Sequence, residues 1–269
     1  MRAGGIGGGL GLLIVLVVVL LGGDPRAVLQ LLDGGAGPST GQAPGVTGAP
    51  DDEMGAYLST ILAMTEDVWT ERFAATSRTY HEPTLVLFSE AVESACGFQT
   101  ASTGPFYCPP DQNLYLDTSF FQQLAGMGGP GDFAQAYVVG HEVGHHVQTL
   151  LGTSEWVRAM QGGARSQADA NQLQVLMELQ ADCYAGVWAF HANRRQRILE
   201  PGDVNEGLAA AAAIGDDTIL RRAGRATAPE SFTHGSAEQR QQWLARGLET
   251  GDAQGCDTFA SAGLEAPGF

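Results

Sequence analysis

The chain has 269 residues, and its 14 basic residues, all arginines, stand against 30 acidic ones for a net charge of −16. That balance excludes the cationic face a nucleic-acid partner requires and fits a self-repelling soluble domain outside the cytoplasm. Beyond an apolar N-terminus and a low-complexity stretch, about 210 residues remain, enough for one domain with a sizeable core.

No charge interrupts Ile6 to Leu21. With its flanking glycines, the stretch from Gly4 to Gly23 reaches the lower end of the length that spans a bilayer. A cleaved signal peptide is the rival reading, since a short apolar heart after Arg2 fits that design too. Gly22-Gly23-Asp24-Pro25 offers no A-x-A-like cleavage site, however, and no lipid-accepting cysteine follows. The expectation is therefore a single transmembrane helix over residues 1–23, with Arg2 inside and Arg26 outside. This puts the rest of the chain on the extracytoplasmic side of the cell membrane. Residues 24–50 turn rich in Gly, Ala, Pro, Ser and Thr and read as a flexible tether, leaving residues 51–269 as the domain.

Within the domain, the pattern predicts a helix at about Asp52 to Thr76 capped by Asp51, then a strand at Thr84 to Phe88. Two short strands, Pro105 to Cys108 and Asn113 to Leu116, flank the turn Pro109-Pro110-Asp111-Gln112 and form a hairpin. A helix near Ser119 to Leu124 precedes the turn cluster Gly128 to Gly131. Asp132 and Gln135 then read as an N-cap and capping-box partner for a helix from Phe133 to Leu151, which Gly152 ends. A second long helix runs from about Ser166 to Ala192, followed by helices at about Val204 to Ile214 and Ser236 to Glu249.

The Phe133–Leu151 helix carries His141-Glu142-Val143-Gly144-His145 in its middle. Positions four apart share a helix face, so the two imidazoles can converge on one metal ion, with the carboxylate of Glu142 beside a water bound there. Catalytic zinc takes a third protein ligand. Leu151 and Gln148 occupy the places where the metzincin pattern needs histidine and glycine, which excludes that subclass. Glu178 on the second long helix is the candidate, with Asp182 one turn later placed to hold the outer N–H of a ligating histidine, His141. Both acids lie among Leu176, Leu179, Cys183, Val187 and Trp188, where an unpaired charge is costly. Glu155, just past the helix stop, is the reserve ligand. His81 is followed by Pro83, His191 lies too far along its helix from Glu178, and His146 points about 100° away from His145.

These motifs together resemble a known family. His141 to His145, the run Glu178-Leu179-Gln180-Ala181-Asp182-Cys183 and the run Phe232 to Arg240 are similar to the bacterial "putative neutral zinc metallopeptidase" family. The likeness extends to Cys96-Gly97, to Gly104 through Pro109 and to the apolar N-terminus, though the several arginines common at the start of that family are reduced here to Arg2. The resemblance implies a zinc-peptidase site without naming a substrate, and it implies that Thr233-His234 lies near that site. There His234 would donate to the oxyanion of a tetrahedral intermediate, or merely pack its own helix terminus. Arg240 would orient carboxylates or bind a substrate carboxylate, or form a structural ion pair.

Four cysteines allow three pairings. The short interval favours Cys96 with Cys108, leaving Cys183 to Cys256 and an oxidising compartment. The expected fold is a helix-rich α+β zincin-like domain with a small sheet, in which Asn113 to Leu116 supplies a free edge for a peptide backbone. The expected function is peptide hydrolysis with one Zn2+ on His141, His145 and Glu178, and Glu142 as general base. The alternative is a membrane-tethered zinc-binding module that organises partner proteins without cutting them.

Overall fold

A computed structural model describes residues 52–269. The anchor and tether expected over residues 1–50 lie outside the described residues, and among the described residues no helix is long and apolar enough to cross a membrane. Helix α1 (Glu53–Ala75) begins where Asp52, in extended conformation, accepts the Gly55 N–H at 2.6 Å. The cap is thus Asp52, one residue later than the expected Asp51. Leu58, Leu62, Trp69 and Phe73 form the buried face of α1.

Five strands follow: β1 (Thr84–Phe88), β2 (Ala91–Ser94), β3 (Gly97–Thr100), β4 (Phe106–Cys108) and β5 (Asn113–Asp117). The main sheet has the order β1-β5-β4, with β5 parallel to β1 and antiparallel to β4. The β4–β5 hairpin matches its expectation, but a free edge at Asn113 to Leu116 does not survive. β5 is the central strand, its backbone engaged from both sides, and the open edges of this sheet belong to β1 and β4. Leu114, Tyr115 and Leu116 are all buried, the continuous burial of a central strand rather than the alternation of an edge. A second hairpin, β2 with β3, has no apolar run to announce it. It is clasped to β4 by the Cys96–Cys108 disulfide and by Asp111, which accepts the Ala95 N–H at 2.9 Å.

The helices are α2 (Ser119–Gly126), α3 (Asp132–Leu151), α4 (Thr153–Gly162), α5 (Gln167–Gln196), α6 (Asp203–Ala213), α7 (Asp216–Arg222) and α8 (Ala237–Thr250). At the start of α3 the expected capping box is absent: Gly131 occupies the cap position. The Phe133 N–H instead meets Asp132 Oδ1 at 2.8 Å and Glu206 of α6 at 3.3 Å. Past Gly152 the chain turns straight into α4, a helix missing from the expectation, which carries Glu155 on an exposed face. Helix α5 is capped by Ser166, runs on to Gln196, and packs against α1, α3, α4 and α8. Buried on nearly every side from Leu173 to Ala192, it is the core's axis. Helix α8 opens with the full capping box of Ser236 and Gln239.

Candidate metal centre

Gly144 lies where α3 crosses α5: a methyl group there would sit 2.9 Å from both the Cα and the carbonyl oxygen of Ala181. The bare backbone allows a close crossing, and the crossing brings His141 and His145 of α3 to Glu178 of α5. One donor atom from each lies within 4.8 Å of the others. Glu178 Oε2 is 3.2 Å from His141 Nε2 and 3.6 Å from His145 Nε2. Donor atoms on a tetrahedral zinc ion stand about 3.3–3.6 Å apart, given metal–ligand distances of about 2.0–2.2 Å. Two imidazoles and a carboxylate therefore form a group that could hold this ion. Among the described residues no fourth His, Cys, Asp or Glu joins it.

Each of the three is held from behind. His141 Nδ1 lies 2.8 Å from Asp182 Oδ1, and His145 Nδ1 lies 2.9 Å from Gln148 Oε1. With both Nδ1 atoms held from outside, both Nε2 atoms face the centre. Gln148 is itself fixed, its amide donating to the Met177 carbonyl at 2.7 Å and to Gln180 Oε1 at 3.0 Å. Gln180 donates in turn to the carbonyl of Cys256, which is disulfide-bonded to Cys183 on α5. On the third member, Gln174 donates to Glu178 Oε1 at 3.0 Å and leaves Oε2 turned toward the imidazoles.

Behind His141 the charges are deeply buried. Asp182 is 0 % exposed, and it accepts hydrogen bonds from Tyr137 at 2.6 Å and from Arg240 through Nε and Nη2 at 2.9 Å each. Burial alone would raise the Asp182 carboxyl, but Arg240 and then His141 outweigh it and hold it at about 2. Burial likewise opposes a charge on His141, yet Asp182 and Glu178 prevail and push it up to about 10. For Glu178 the same contest, with His145 and His141 against burial, ends well below the usual carboxylate range. A metal ion held here would have to displace the proton that these carboxylates favour on His141.

Glu142 lies between the two histidines on α3 and is 7 % exposed. His234 stands in the loop before α8 with its side chain half exposed. That loop packs on α5 at Gly235, where an added methyl would sit 3.3 Å from both Val175 and Leu179, residues three before and one after Glu178 on that helix. Glu155, the reserve ligand, is not part of the cluster. Arg240 is the buried ion-pair partner of Asp182, so its structural reading holds. His146 turns away from the site: Nε2 meets the His81 carbonyl at 2.6 Å, Nδ1 meets the Tyr107 hydroxyl at 3.0 Å, and burial holds the ring down to about 4.

Sequence reasoning missed Gln148, Gln174, Gln180 and Tyr137. A spacing signal existed, since Gln148 is three residues past His145, Gln174 four before Glu178 and Tyr137 four before His141. Uncharged side chains simply carry no metal-site signature of their own.

A family model described as "Putative neutral zinc metallopeptidase" matches residues 1–259. The chain is 44 % identical over 255 residues to uncharacterized protein YpfJ of Escherichia coli strain K12, spanning 94 % of this chain and 88 % of that one. It is 48 % identical over 198 residues to uncharacterized protein Rv2575 of Mycobacterium tuberculosis strain H37Rv, spanning 69 % and 65 % respectively. No solved structure matches it. A family match over nearly the whole length places the chain plainly: it belongs to the putative neutral zinc metallopeptidase family.

Proposed function

We propose that the chain is a zinc-dependent peptidase, tethered to the cell membrane by residues 1–23 with its domain outside the cytoplasm. The observation that carries the reading is the convergence of His141 Nε2, His145 Nε2 and Glu178 Oε2, each with its far atom already bound to protein. Three protein donors, rather than four, are the mark of a catalytic site that keeps one position open. When bound, zinc supplies Lewis acidity that polarises a scissile carbonyl and lowers the pKa of a water molecule to about 7.

Glu142 accepts the proton of the attacking water and returns it to the leaving amine. Asp182 and Gln148 keep the two imidazoles in the Nδ1–H tautomer. His234, on the loop across α5, donates to the oxyanion that forms at the carbonyl. The substrate is a peptide or an unfolded protein segment.

The test is digestion of a peptide library by the full chain with and without chelator, beside Glu142→Gln. The reading expects chelator-sensitive cleavage, and a loss of at least about 100-fold in the variant with its zinc and melting temperature retained. A chain that binds zinc but cuts no peptide under these conditions is the non-proteolytic tethered module instead.

A further inference from the structure

We infer that Asp216, the first residue of α7, is the positioning residue for His234, aiming its Nε2–H at the substrate oxyanion. The inference rests on the peptidase reading and adds a group to its site. One oxygen of Asp216, Oδ2, accepts three consecutive backbone N–H groups: Thr233 at 2.7 Å, His234 at 2.6 Å and Gly235 at 3.0 Å. The Asp216 N–H donates back to the Gly235 carbonyl at 2.9 Å. Three adjacent N–H groups can point at one oxygen only if the chain curls tightly, and Gly235 supplies the curl at φ +93°, in the left-handed region. Asp217 pins the next turn by accepting the Ala237 N–H at 2.8 Å.

Because Oδ2 accepts all three of these N–H groups, the second oxygen of Asp216 is left for another purpose. Asp216 Oδ1 stands 3.4 Å from His234 Nδ1, an ion-pair distance, with the Thr233 hydroxyl also 3.1 Å from that nitrogen. Nδ1 is therefore occupied from the protein side, and Nε2 is the ring nitrogen left to face a substrate. The charged groups around the ring are Asp216 from α7, Glu178 from α5 and Arg240 from α8. Partial burial and Arg240 disfavour a charged imidazole, the two carboxylates favour it, and the carboxylates win. A protonated ring carries a hydrogen on Nε2 even while Asp216 holds the one on Nδ1, so Nε2 can donate to an oxyanion.

A purely structural Asp216 would hold the loop and nothing more, and Asp216→Asn separates the two roles. Its amide oxygen can still accept the three N–H groups, while a neutral NH2 replaces the oxygen beside Nδ1. In the zinc-loaded full chain, kcat is expected to fall about 10-fold with KM nearly unchanged. The same change made in His234→Ala should cost nothing further. An equal loss in both backgrounds, or no loss in either, overturns the inference. A second readout does not depend on peptide cleavage: ring nitrogen shifts of His234 in histidine-labelled protein. The His234 titration midpoint should drop by about one pH unit in Asp216→Asn, and an unchanged midpoint refutes the inference even where the peptidase reading stands. A failure of the wild-type chain to cleave, with the midpoint shifting as expected, strikes the peptidase reading and leaves the Asp216–His234 coupling intact.

Discussion

Arg240 grips Asp182 at two points, Nε to Oδ2 and Nη2 to Oδ1, both at 2.9 Å and both inside the core. The pair is brought together by a helix crossing as tight as the one at the metal centre: a methyl on Gly247 of α8 would collide with the Cys183 carbonyl of α5. Without Arg240, Asp182 keeps His141 and Tyr137 but loses the larger of its two countercharges. Removing one partner of a buried pair costs about 3–5 kcal/mol. Arg240→Met should therefore lower stability by about 3 kcal/mol in chelator, where bound metal cannot mask the change. Denaturant unfolding measures it, and a loss below about 1 kcal/mol would mean that solvent reaches the carboxylate.

Gln148 is the least expected member of the site. Its side chain links His145 to Gln180 and through it to the carbonyl of Cys256. Partners of this kind carry roughly 10- to 100-fold in metal affinity. Gln148→Ala should weaken zinc binding by that amount with the helical fold intact, as read by competition with a chromophoric chelator. Unchanged affinity would show that water orients His145 equally well.

Acid should act on a different histidine. Burial holds His146 at about 4 against an ordinary value of 6.5. Between those limits the unfolded chain binds the extra proton, so the His146 contribution is complete above pH 6.5 and is lost as pH falls toward 4. Its full size is about 3 kcal/mol. Glu66 runs the other way. Burial, then Glu82 and Asp67, push its carboxyl up to about 7, so folding weakens as pH rises toward that value. The two oppose each other in one window, and only a difference isolates His146. Stability of His146→Gln followed from pH 7 to 4 should fall less steeply than that of the wild type. Parallel curves would mean that His146 titrates alike in the folded and the unfolded chain.

The parts of the site legible in the sequence are those written in helical spacing. His141 with His145, and Glu178 with Asp182, each sit four apart, and helix geometry alone puts each pair on one face. The Ser236–Gln239 capping box is equally local, at the start of a helix expected from about Ser236. What stayed hidden depends on distant neighbours. Asp132 has the sequence of a cap, yet Glu206, far along the chain, reaches the same N–H and Gly131 takes the cap position. Asn113 to Leu116 reads as a strand from its own residues, but its central place is set by β1, about thirty residues earlier. Asp216 lies in a short helix with nothing local to mark it, and its partners are backbone N–H groups that no side-chain pattern encodes.

The central claim is a metal ion on two imidazoles and one carboxylate with a position left for solvent, and zinc K-edge absorption on the purified full chain addresses it most directly. The account predicts one zinc per chain with two imidazole nitrogens and a shell of light oxygen donors that includes an exchangeable water, and loss of the metal in Glu178→Ala. A closed shell of four protein ligands, or zinc retained undiminished without Glu178, would contradict it.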